Sequence, residues 1–388
     1  MRREALGLAI RRKRSLMASA IAAQRLHNQL LTRAGLRRPE DVIKWLGAVQ
    51  AQEYEPAKWA LGIRMREGAV DDIVERAFEE GRILRTHVMR PTWHFVTPDD
   101  IRWMTELTAP RLQRLMSTYH RQLNLDTELL VRGTAIVERA LRDRNYLTRN
   151  ELGDQLGRAN LSLSGVRLAH LAMYAELEGI ICSGPRRGKH FTYGLLAERA
   201  PEAVRLSRDE ALATLARRFF SSHGPATIRD FVWWSGLTTP DAKRGLEMNR
   251  ARRVETDGQT YWTIGPAPRG ALRARRVHLL PIYDEYCVAY RDRQAVPHGP
   301  SRVPAGSGDP VSFRHSLVVG GQIAGTWRTK RQTTAVIIDA FPLRRLTAPE
   351  RRGLLEAVRD YERFLCAPVQ LLVSPGERGN PRSPSDDR

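Results

Sequence analysis

The chain has 388 residues, 42% of them hydrophobic, a composition that fits a folded protein of roughly two to four domains. It carries 63 basic against 43 acidic residues, a formal charge of +20, so a nucleic acid or another polyanion is the expected partner. No apolar run approaches the roughly 20 residues that span a membrane. The odd number and wide spacing of Cys182, Cys287 and Cys366 support neither a disulfide framework nor a Cys-x-x-Cys metal site, and they fit a reducing cytoplasm.

The basic residues are nearly all arginine. A GC-rich genome would explain the choice of arginine over lysine, but it would not explain the surplus of positive charge. Residues 1–17 are basic with only a short apolar insert, which makes a poor signal peptide. We interpret them as a basic N-terminal extension, either a disordered arm or the product of a mistaken start codon.

Residues 18–98 predict a first winged helix. Residues 18–34, 39–48 and 70–78 have helix-forming or helically spaced apolar residues. Residues 81–96 are extended in character and predict a hairpin with Arg90-Pro91 at a turn. Thr97 is placed to cap the helix that begins at Pro98.

Residues 99–200 predict a second unit with the same order of helices and hairpin. Thr148 and Glu151 have the spacing of a capping box at the start of a short helix. Residues 165–179 form an amphipathic pattern that ends at a glycine. Residues 180–193 then predict two strands around a basic loop, which is a second wing.

Residues 201–266 predict a third winged helix. Three helical patterns, over residues 208–220, 225–236 and 239–249, precede a hairpin at 253–264 with an Asp-Gly turn. Trp233 and Trp234 lie on an apolar helix face, which favours core positions over platforms for base stacking.

Residues 271–374 predict a C-terminal β domain with one helix. It follows a linker at 265–270 and contains strands within 277–283, 315–328, 334–341 and 369–373, a turn at Gly320-Gly321, a surface loop at 297–310 and a helix at 347–364. Residues 375–388 predict a disordered tail. The predicted fold class is α+β, with tandem winged-helix motifs scaffolded on a C-terminal β-barrel-like domain.

Gln50 and Gln52 flank one alanine, after a helical pattern and before Pro56. Residues two apart do not share a face of a helix, so the two amides converge only if the helix ends here, as Pro56 suggests. Two glutamines at a helix end are, on their own, more often solvated surface than a site.

Four motifs together resemble the AlkZ/YcaQ-type winged-helix DNA glycosylases. They are Gln50-Ala-Gln52, Met89-Arg-Pro-Thr-Trp-His94, Leu279-Leu-Pro-Ile-Tyr-Asp-Glu-Tyr with Tyr290-Arg-Asp-Arg293, and Val319-Gly-Gly-Gln-Ile-Ala-Gly-Thr-Trp-Arg328. The resemblance covers roughly residues 20–373 and is to the Gln-x-Gln branch of the family. Where the family often has Arg-Gly-Thr, this chain has Arg90-Pro91-Thr92. The resemblance implies excision of alkylated purines, including unhooking of interstrand crosslinks, and it places the catalytic function on Gln50 and Gln52.

The chemistry of an amide pair is compatible with that activity. Hydrolysis of a nucleoside bond passes through an oxocarbenium-like sugar, for which a carboxylate normally stabilises the cation or activates water. An amide cannot transfer the proton, but it can hold a water in line with C1′. This suffices for N7- or N3-alkylated purines, which are cationic and leave readily. Glu53 and Glu55 are the nearest alternative bases and rank below the glutamines because of the resemblance.

We expect a monofunctional enzyme without a lyase step, a metal ion or another cofactor. Lys44 and Lys58 bracket the motif, but a lysine near DNA more often contacts phosphate than forms a Schiff base. His87 and His94 lack metal-ligand spacing and are better explained as wing residues or phosphate contacts. Asp284, Arg291 and Arg293 either bind DNA or form an internal ion pair.

The expected partner is double-stranded DNA with alkylated or crosslinked bases, bound by a monomer in the cytoplasm, at the nucleoid when on DNA. The basic loop of the second wing either contacts phosphate or is only solvated. The predicted DNA contacts are Lys58, Arg85, Arg90, Thr92, His94, Arg186, Arg187, Lys189, Arg291 and Arg293.

Two alternatives remain at this level. Winged helices regulate transcription more often than they catalyse, so a non-enzymatic DNA-binding protein is the first. Three unlike winged helices with no dimer-forming heptad argue against a palindrome-binding repressor. A nucleic-acid scaffold that uses only its charge is the second.

Overall fold

The computed structural model describes residues 20–32, 35–66, 68–256, 258–265, 277–291 and 314–374. Some of the sequence predictions lie outside these residues: the N-terminal extension, Asp257 of the third hairpin, most of the 265–270 linker, the 297–310 loop, Arg293 and the 375–388 tail. Across the described ranges, no helix has both the length and the apolar character to cross a membrane.

The first region packs short helices around a small antiparallel sheet. Its elements are α1 (residues 20–28), α2 (Pro39–Leu46), β1 (Val49–Gln50), α3 (Tyr54–Gly62), α4 (Asp71–Glu79), β2 (Leu84–His87) and β3 (Trp93–Val96). The sheet order is β1-β3-β2, so β1 is an edge strand. Helix α2 begins at Pro39 as predicted. Its C-cap is Gly47, whose φ of +94° is readily adopted by glycine because glycine has no Cβ.

The second region has the same kinds of elements. They are α5 (Pro98–Gln122), α6 (Thr127–Ala140), β4 (Leu147–Thr148), α7 (Arg149–Arg158), α8 (Gly165–Leu177), β5 (Ile181–Ser183), β6 (Thr192–Leu195) and α9 (Leu196–Arg199). The capping box of Thr148 and Glu151 is confirmed, with both reciprocal hydrogen bonds present. Thr97 precedes α5 as predicted, but its hydroxyl donates to Asp100 and does not cap the helix.

The third region confirms the predicted three helices and hairpin. Its elements are α10 (Arg208–Ser222), α11 (Ile228–Ser235), α12 (Thr239–Met248), β7 (Arg252–Thr256) and β8 (Gln259–Thr263). Trp234 is fully buried, as predicted for a core residue. The same prediction was wrong for Trp233, which is 41% exposed and donates its indole N–H to the carbonyl of Val288.

The C-terminal region is a five-stranded sheet covered by one long helix. Its elements are β9 (Val277–Leu280), α13 (Glu285–Val288), β10 (His315–Val319), β11 (Gln322–Arg331), β12 (Val336–Pro342), α14 (Ala348–Leu365) and β13 (Val369–Val373). The sheet order is β13-β12-β11-β10-β9; β12 and β13 are parallel and the other pairs antiparallel. The predicted turn at Gly320 and Gly321 is confirmed, with φ of +58° and +82°.

The first and C-terminal regions share one hydrophobic core. Trp59 of α3 donates its indole N–H to the carbonyl of Leu279 in β9 at 2.7 Å. A Cβ added at Gly62 would lie 2.4 Å from the ring of Phe364 in α14, so the glycine allows the two helices to approach closely. The strand that carries Gln50 therefore rests on a core built from both ends of the chain. The predicted α+β class is confirmed.

Candidate active site

Gln50 lies in strand β1, and Gln52 lies in the bend between β1 and α3. The prediction that they sit at a fraying helix end was wrong, because α2 has already ended at Gly47 and β1 follows. Pro56 ends no helix; it lies in the first turn of α3, where a missing N–H costs no hydrogen bond. Both amides reach the hairpin of β2 and β3, Gln50 at Arg90 and Gln52 at Trp93, so they can converge, while Ala51 is buried.

The Gln50 side chain is held by an arginine from the turn between β2 and β3. It is 7% exposed, and its Oε1 accepts a hydrogen bond from Nη2 of Arg90 at 2.9 Å. A guanidinium can only donate, so the amide atom that faces Arg90 is the oxygen. Within the described part of the chain no hydrogen bond reaches the Gln50 Nε2, which leaves that donor for a ligand.

Gln52 is half-buried and more loosely held. Its Oε1 accepts from the backbone N–H of Trp93 at 3.4 Å, a long hydrogen bond. Arg85 holds the main chain here, donating to the carbonyl of Ala51 at 2.9 Å and to that of Gln52 at 3.4 Å. Because Arg85 is only 8% exposed, with its guanidinium over the rings of Trp93 and Phe191, its prediction as a DNA contact was wrong. Burial lowers its pKa to about 10.

His94 lies directly across the sheet from Gln50 and is fully buried. Its Nδ1 is 2.9 Å from the carbonyl of Thr92, which can only accept, so Nδ1 carries the hydrogen. Its Nε2 faces Nη2 of Arg90 at 3.5 Å. Burial first, and then the charge of Arg90, lowers the pKa of His94 to about 3.

These contacts correct the DNA-contact prediction for His94, whereas those for Thr92 and Arg90, which are half-buried, stay predictions. His94 is buried and neutral, so it is not a phosphate contact. The hydroxyl of Thr92 is buried and, among the described residues, has no hydrogen-bond partner. Arg90 is turned inward to Gln50, and burial lowers its pKa. All three residues belong to the hairpin whose strand β3 pairs with β1.

Acidification is expected to destabilise the protein through His94. An unfolded imidazole takes up a proton near pH 6.5, whereas the folded one does so only near its pKa of about 3. The unfolded state binds more protons between these values, so the free energy of unfolding falls as the pH drops, by about 2 kcal/mol at pH ~5. Unfolding midpoints measured between pH ~8 and ~5 test this. His94→Asn, whose amide can still donate to Thr92, should lose that part of the slope, and an unchanged slope would contradict the assignment.

A buried carboxylate lies behind Gln50. Oε1 of Glu285 accepts the backbone N–H of Gln50 at 2.9 Å, and its Oε2 accepts the indole N–H of Trp234 at 2.9 Å. Nε2 of His223 is 3.4 Å from the same Oε2. Burial alone would raise the pKa of Glu285, but His223, the Arg90 charge and the Gln50 N–H outweigh it and lower the pKa to about 2.

Sequence reasoning missed Glu285 and its partners. The available signal was the pair of adjacent acidic residues, Asp284 and Glu285, in an otherwise apolar stretch. Asp284 forms the internal ion pair that was one of its two predicted roles, but with Arg64, through bonds of 2.6 and 2.7 Å. The side chains of Arg64 and Asp284 are fully buried.

Lys58 and Arg186 are bound by carboxylates of the protein. Lys58 is 2% exposed and pairs with Asp71, Glu75 and Glu55 at 2.8, 2.7 and 3.0 Å. Burial opposes its charge, but these partners raise its pKa. Arg186 pairs with Glu75 at 3.2 Å and with Glu55 at 3.5 Å. The prediction of Lys58 as a phosphate contact was wrong, because its ammonium group is buried among these carboxylates. Arg186 is half-buried and stays a prediction.

Three predicted DNA contacts are exposed. Lys189 and Arg291 are exposed, and the guanidinium of Arg291 lies 5.2 Å above the ring of Trp233. Arg187 is exposed but donates to Glu151 and to the carbonyl of Tyr146, both at 2.6 Å. Arg293, another predicted DNA contact, lies outside the described residues.

The remaining candidate groups have other partners. Lys44 pairs with Asp99 at 3.2 Å on the surface. His87 is buried, with its Nδ1 against the carboxylate of Glu176. Glu53 is exposed beside Gln52 and stays a rival source of a base. In the ranges that the structure describes, no three His, Cys, Asp or Glu side chains are grouped as metal ligands.

Comparison with known proteins places the chain among the DNA glycosylases, which are hydrolases acting on N-glycosyl bonds. It belongs to the AlkZ-like family of DNA glycosylases, whose model matches residues 43–364. The chain is 24% identical over 343 residues to a Streptomyces sahachiroi protein named interstrand DNA cross-link repair glycosylase, covering 83% of this chain and 90% of that one. The solved structure of the Streptomyces sahachiroi DNA glycosylase AlkZ has the same fold, with a TM-score of 0.73 and 21% identity over 91% of this chain and 99% of that one.

Proposed function

We propose that this glycosylase hydrolyses the N-glycosidic bond of N3- and N7-alkylated purines, with Gln50 and Gln52 positioning the water that attacks C1′. The observation that supports this most is that the hydrogen bonds of the two amides differ, so that one can present a donor and the other an acceptor. Gln50 has its oxygen bound by Arg90 and presents a donor. Gln52 has its oxygen only loosely bound, at 3.4 Å from Trp93, and can present an acceptor.

A donor and an acceptor side by side can orient one water molecule. The Nε2 of Gln50 would donate to the water oxygen, and Oε1 of Gln52 would accept one of its hydrogens, so a lone pair points at C1′. Neither amide can take a proton from the water or give one to the leaving base, so the base must leave readily by itself, and the water loses its extra proton to solvent once its oxygen has bonded to C1′. A cationic alkylated purine does so, which is why this site fits alkylation damage.

Nearby carboxylates fit the reaction less well. Glu285 is fully buried, and both of its oxygens accept hydrogen bonds from the protein. Glu55 is an ion-pair partner of Lys58. Glu53 is exposed and adjacent to Gln52, so a Glu53→Gln variant is needed to test whether it acts as a general base.

The charge of the leaving base is therefore expected to decide which DNA is a substrate. Duplex DNA with one N7-methylguanine should release free base, whereas the same duplex with uracil or hypoxanthine in that place should release none. Chromatography of the released base makes the comparison, with binding measured on each duplex. Release of a neutral base at a comparable rate would contradict positioning by amides. Binding without release from N7-methylguanine or a bulkier N7 adduct would favour a non-enzymatic DNA-binding protein.

Unhooking of interstrand crosslinks is part of the proposal. The Streptomyces sahachiroi relative is named for crosslink repair, and a crosslink between two N7 atoms holds two cationic purines. Cleavage of one glycosidic bond would then release one strand. A denaturing gel of crosslinked duplex, before and after incubation with the protein, would show single strands if this holds.

The tandem winged-helix architecture is also part of the proposal. Each of the first three regions has helices followed by a hairpin, and we assign them the boundaries 18–98, 99–200 and 201–266. We assign 271–374 to the C-terminal β domain, whose described elements run from β9 to β13. We propose that the protein acts as a monomer, bound to duplex DNA at the nucleoid. Size-exclusion chromatography with light scattering tests the oligomeric state.

Lys189 and Arg291 are the predicted contacts that best suit phosphate binding. Both are exposed, in a chain with an excess of 20 positive charges, and Arg291 shares its surface with Trp233. Lys189→Ala and Arg291→Ala should each weaken DNA binding and lower the salt slope by about 1, because fewer counterions are released. The excision rate at saturating enzyme should be unchanged. An unaltered salt slope in both variants would place the DNA elsewhere.

A further inference from the structure

Strand β1 lies at the edge of its sheet, and this leaves the backbone N–H of Gln50 without a sheet partner. The N–H of Ala51 points to β3 and donates to the carbonyl of Trp93 at 2.7 Å. Successive N–H groups of a strand point to opposite sides, so the N–H of Gln50 points away from the sheet. A buried N–H needs an acceptor, and the carboxylate of Glu285 supplies it at 2.9 Å.

Glu285 is itself fixed by three parts of the chain. It opens the short helix α13, whose N-cap, Asp284, is bound by the fully buried Arg64. Its second oxygen accepts the indole N–H of Trp234 in α11 and lies 3.4 Å from Nε2 of His223. The carboxylate is fully buried, so its position follows that of the core. The position of Gln50 is thus set by a residue 235 positions further along the chain.

Glu285 also acts electrostatically on Arg90, the residue that orients the Gln50 side chain. Its negative charge favours the guanidinium of Arg90, and Nη2 of Arg90 binds the Gln50 Oε1 at 2.9 Å. A backbone carbonyl would satisfy one N–H equally well, but it would not balance a buried guanidinium. One carboxylate therefore fixes the main chain of Gln50 directly and supports the group that fixes its amide.

We propose that Glu285 is a positioning residue for base excision, which holds the main chain of Gln50 while Arg90 sets the direction of the Gln50 amide. The proposal rests on the catalytic role proposed above for Gln50. It extends the site from Gln50 and Gln52 to the C-terminal region. Neither Glu285 nor Arg90 contacts the substrate in this account; both act through Gln50.

The test is single-turnover excision of N7-methylguanine from duplex DNA, with enzyme in excess and varied. Glu285→Gln keeps the shape of the side chain but removes its charge and places an N–H₂ group in a set of donors. The maximal rate should fall by about 10- to 100-fold, as for other small misplacements of a reacting group, while the half-saturating enzyme concentration stays the same. In a Gln50→Ala background the same change should have no further effect on the rate.

Arg90→Lys tests the proposed role of Arg90 in setting the direction of the Gln50 amide. This test does not depend on how well the Glu285 variant folds. Lysine keeps the charge but loses the planar fork, so the maximal rate should fall while DNA binding is retained. If Arg90 instead contacts phosphate, its variant would raise the half-saturating concentration and leave the maximal rate. That result would overturn the positioning role of Arg90.

The outcomes separate this proposal from the one on which it rests. If Gln50→Ala excises as fast as the intact protein, the catalytic role of Gln50 fails and the positioning role fails with it. If Gln50→Ala is slow but Glu285→Gln is as fast as the intact protein, only the positioning role fails. It also fails if Glu285→Gln lowers the rate of the Gln50→Ala variant by the same factor as it lowers the rate of the intact protein. Glu285 would then act independently of Gln50.

Discussion

Gln50→Ala is expected to lower the single-turnover rate of N7-methylguanine excision by about 100-fold, the order of loss seen when a reacting group is misplaced. Truncation removes the donor that the site presents to the water. DNA binding should be retained, because the side chain is 7% exposed and bonded within the protein. Gln52→Ala should have a similar effect, since a water held by one amide is no longer oriented.

The double variant and a neighbouring carboxylate provide the controls. Gln50→Ala with Gln52→Ala should be little slower than either alone, because groups that orient one molecule act as a unit. Glu53→Gln changes the exposed carboxylate beside Gln52 and should excise at nearly the intact rate. The rate should not vary with pH between about 6 and 9, since an amide does not titrate. If Glu53→Gln is the slowest variant, a general base and not the amide pair carries the reaction.

Asp284→Ala is expected to destabilise the protein by about 3–5 kcal/mol, the usual cost of leaving one member of a buried ion pair unpaired. Arg64 would keep its bonds to the carbonyls of Ala60 and Gln29 but lose two to the carboxylate, at 2.6 and 2.7 Å. Since Asp284 caps α13, the segment that bears Glu285 should loosen as well.

Chemical denaturation measures this effect, and a surface ion pair offers the matched control. Asp209→Ala removes the partner of Arg244 on the exposed faces of α10 and α12 and should leave the unfolding midpoint nearly unchanged. Equal midpoints for Asp284→Ala and the intact protein would show that the buried pair contributes little. The segment around Glu285 would then need another source of rigidity.

The sequence predicted the parts of the fold whose cause is local. The capping box at Thr148, the glycine turn at residues 320–321 and the helix beginning at Pro39 depend on neighbours a few residues away. The short strand β1 has no such signal. Two residues are too few for a hydrophobic period, and the strand exists because β3, more than 40 residues later, pairs with it.

The site was harder to predict because its contacts are long-range. Residue type and position along the chain are the signals that predict a basic residue as a DNA contact. The sequence does not show that Lys58 meets Glu75 and Asp71, or that Arg85 lies between Trp93 and Phe191. A net charge counts all basic residues alike, including those that the fold uses internally.

The choice of Gln50 and Gln52 came from the family resemblance and not from their spacing. Membership of the family is confirmed by the match over residues 43–364. The part played by the two glutamines is still a proposal, supported by the donor and acceptor that they present. The carboxylate behind them could not be predicted, because nothing local marks Glu285 as the partner of a backbone N–H so far away.

The most direct measurement is the release of free base from duplex DNA carrying one N7-methylguanine, by the intact protein and by the variant with both Gln50→Ala and Gln52→Ala. Binding to the same duplex is measured in parallel. Release by the intact protein, with binding but almost no release by the variant, is the result we predict. Equal release by both proteins would contradict the role of the amides. Binding by both without release by either would contradict the proposed activity itself.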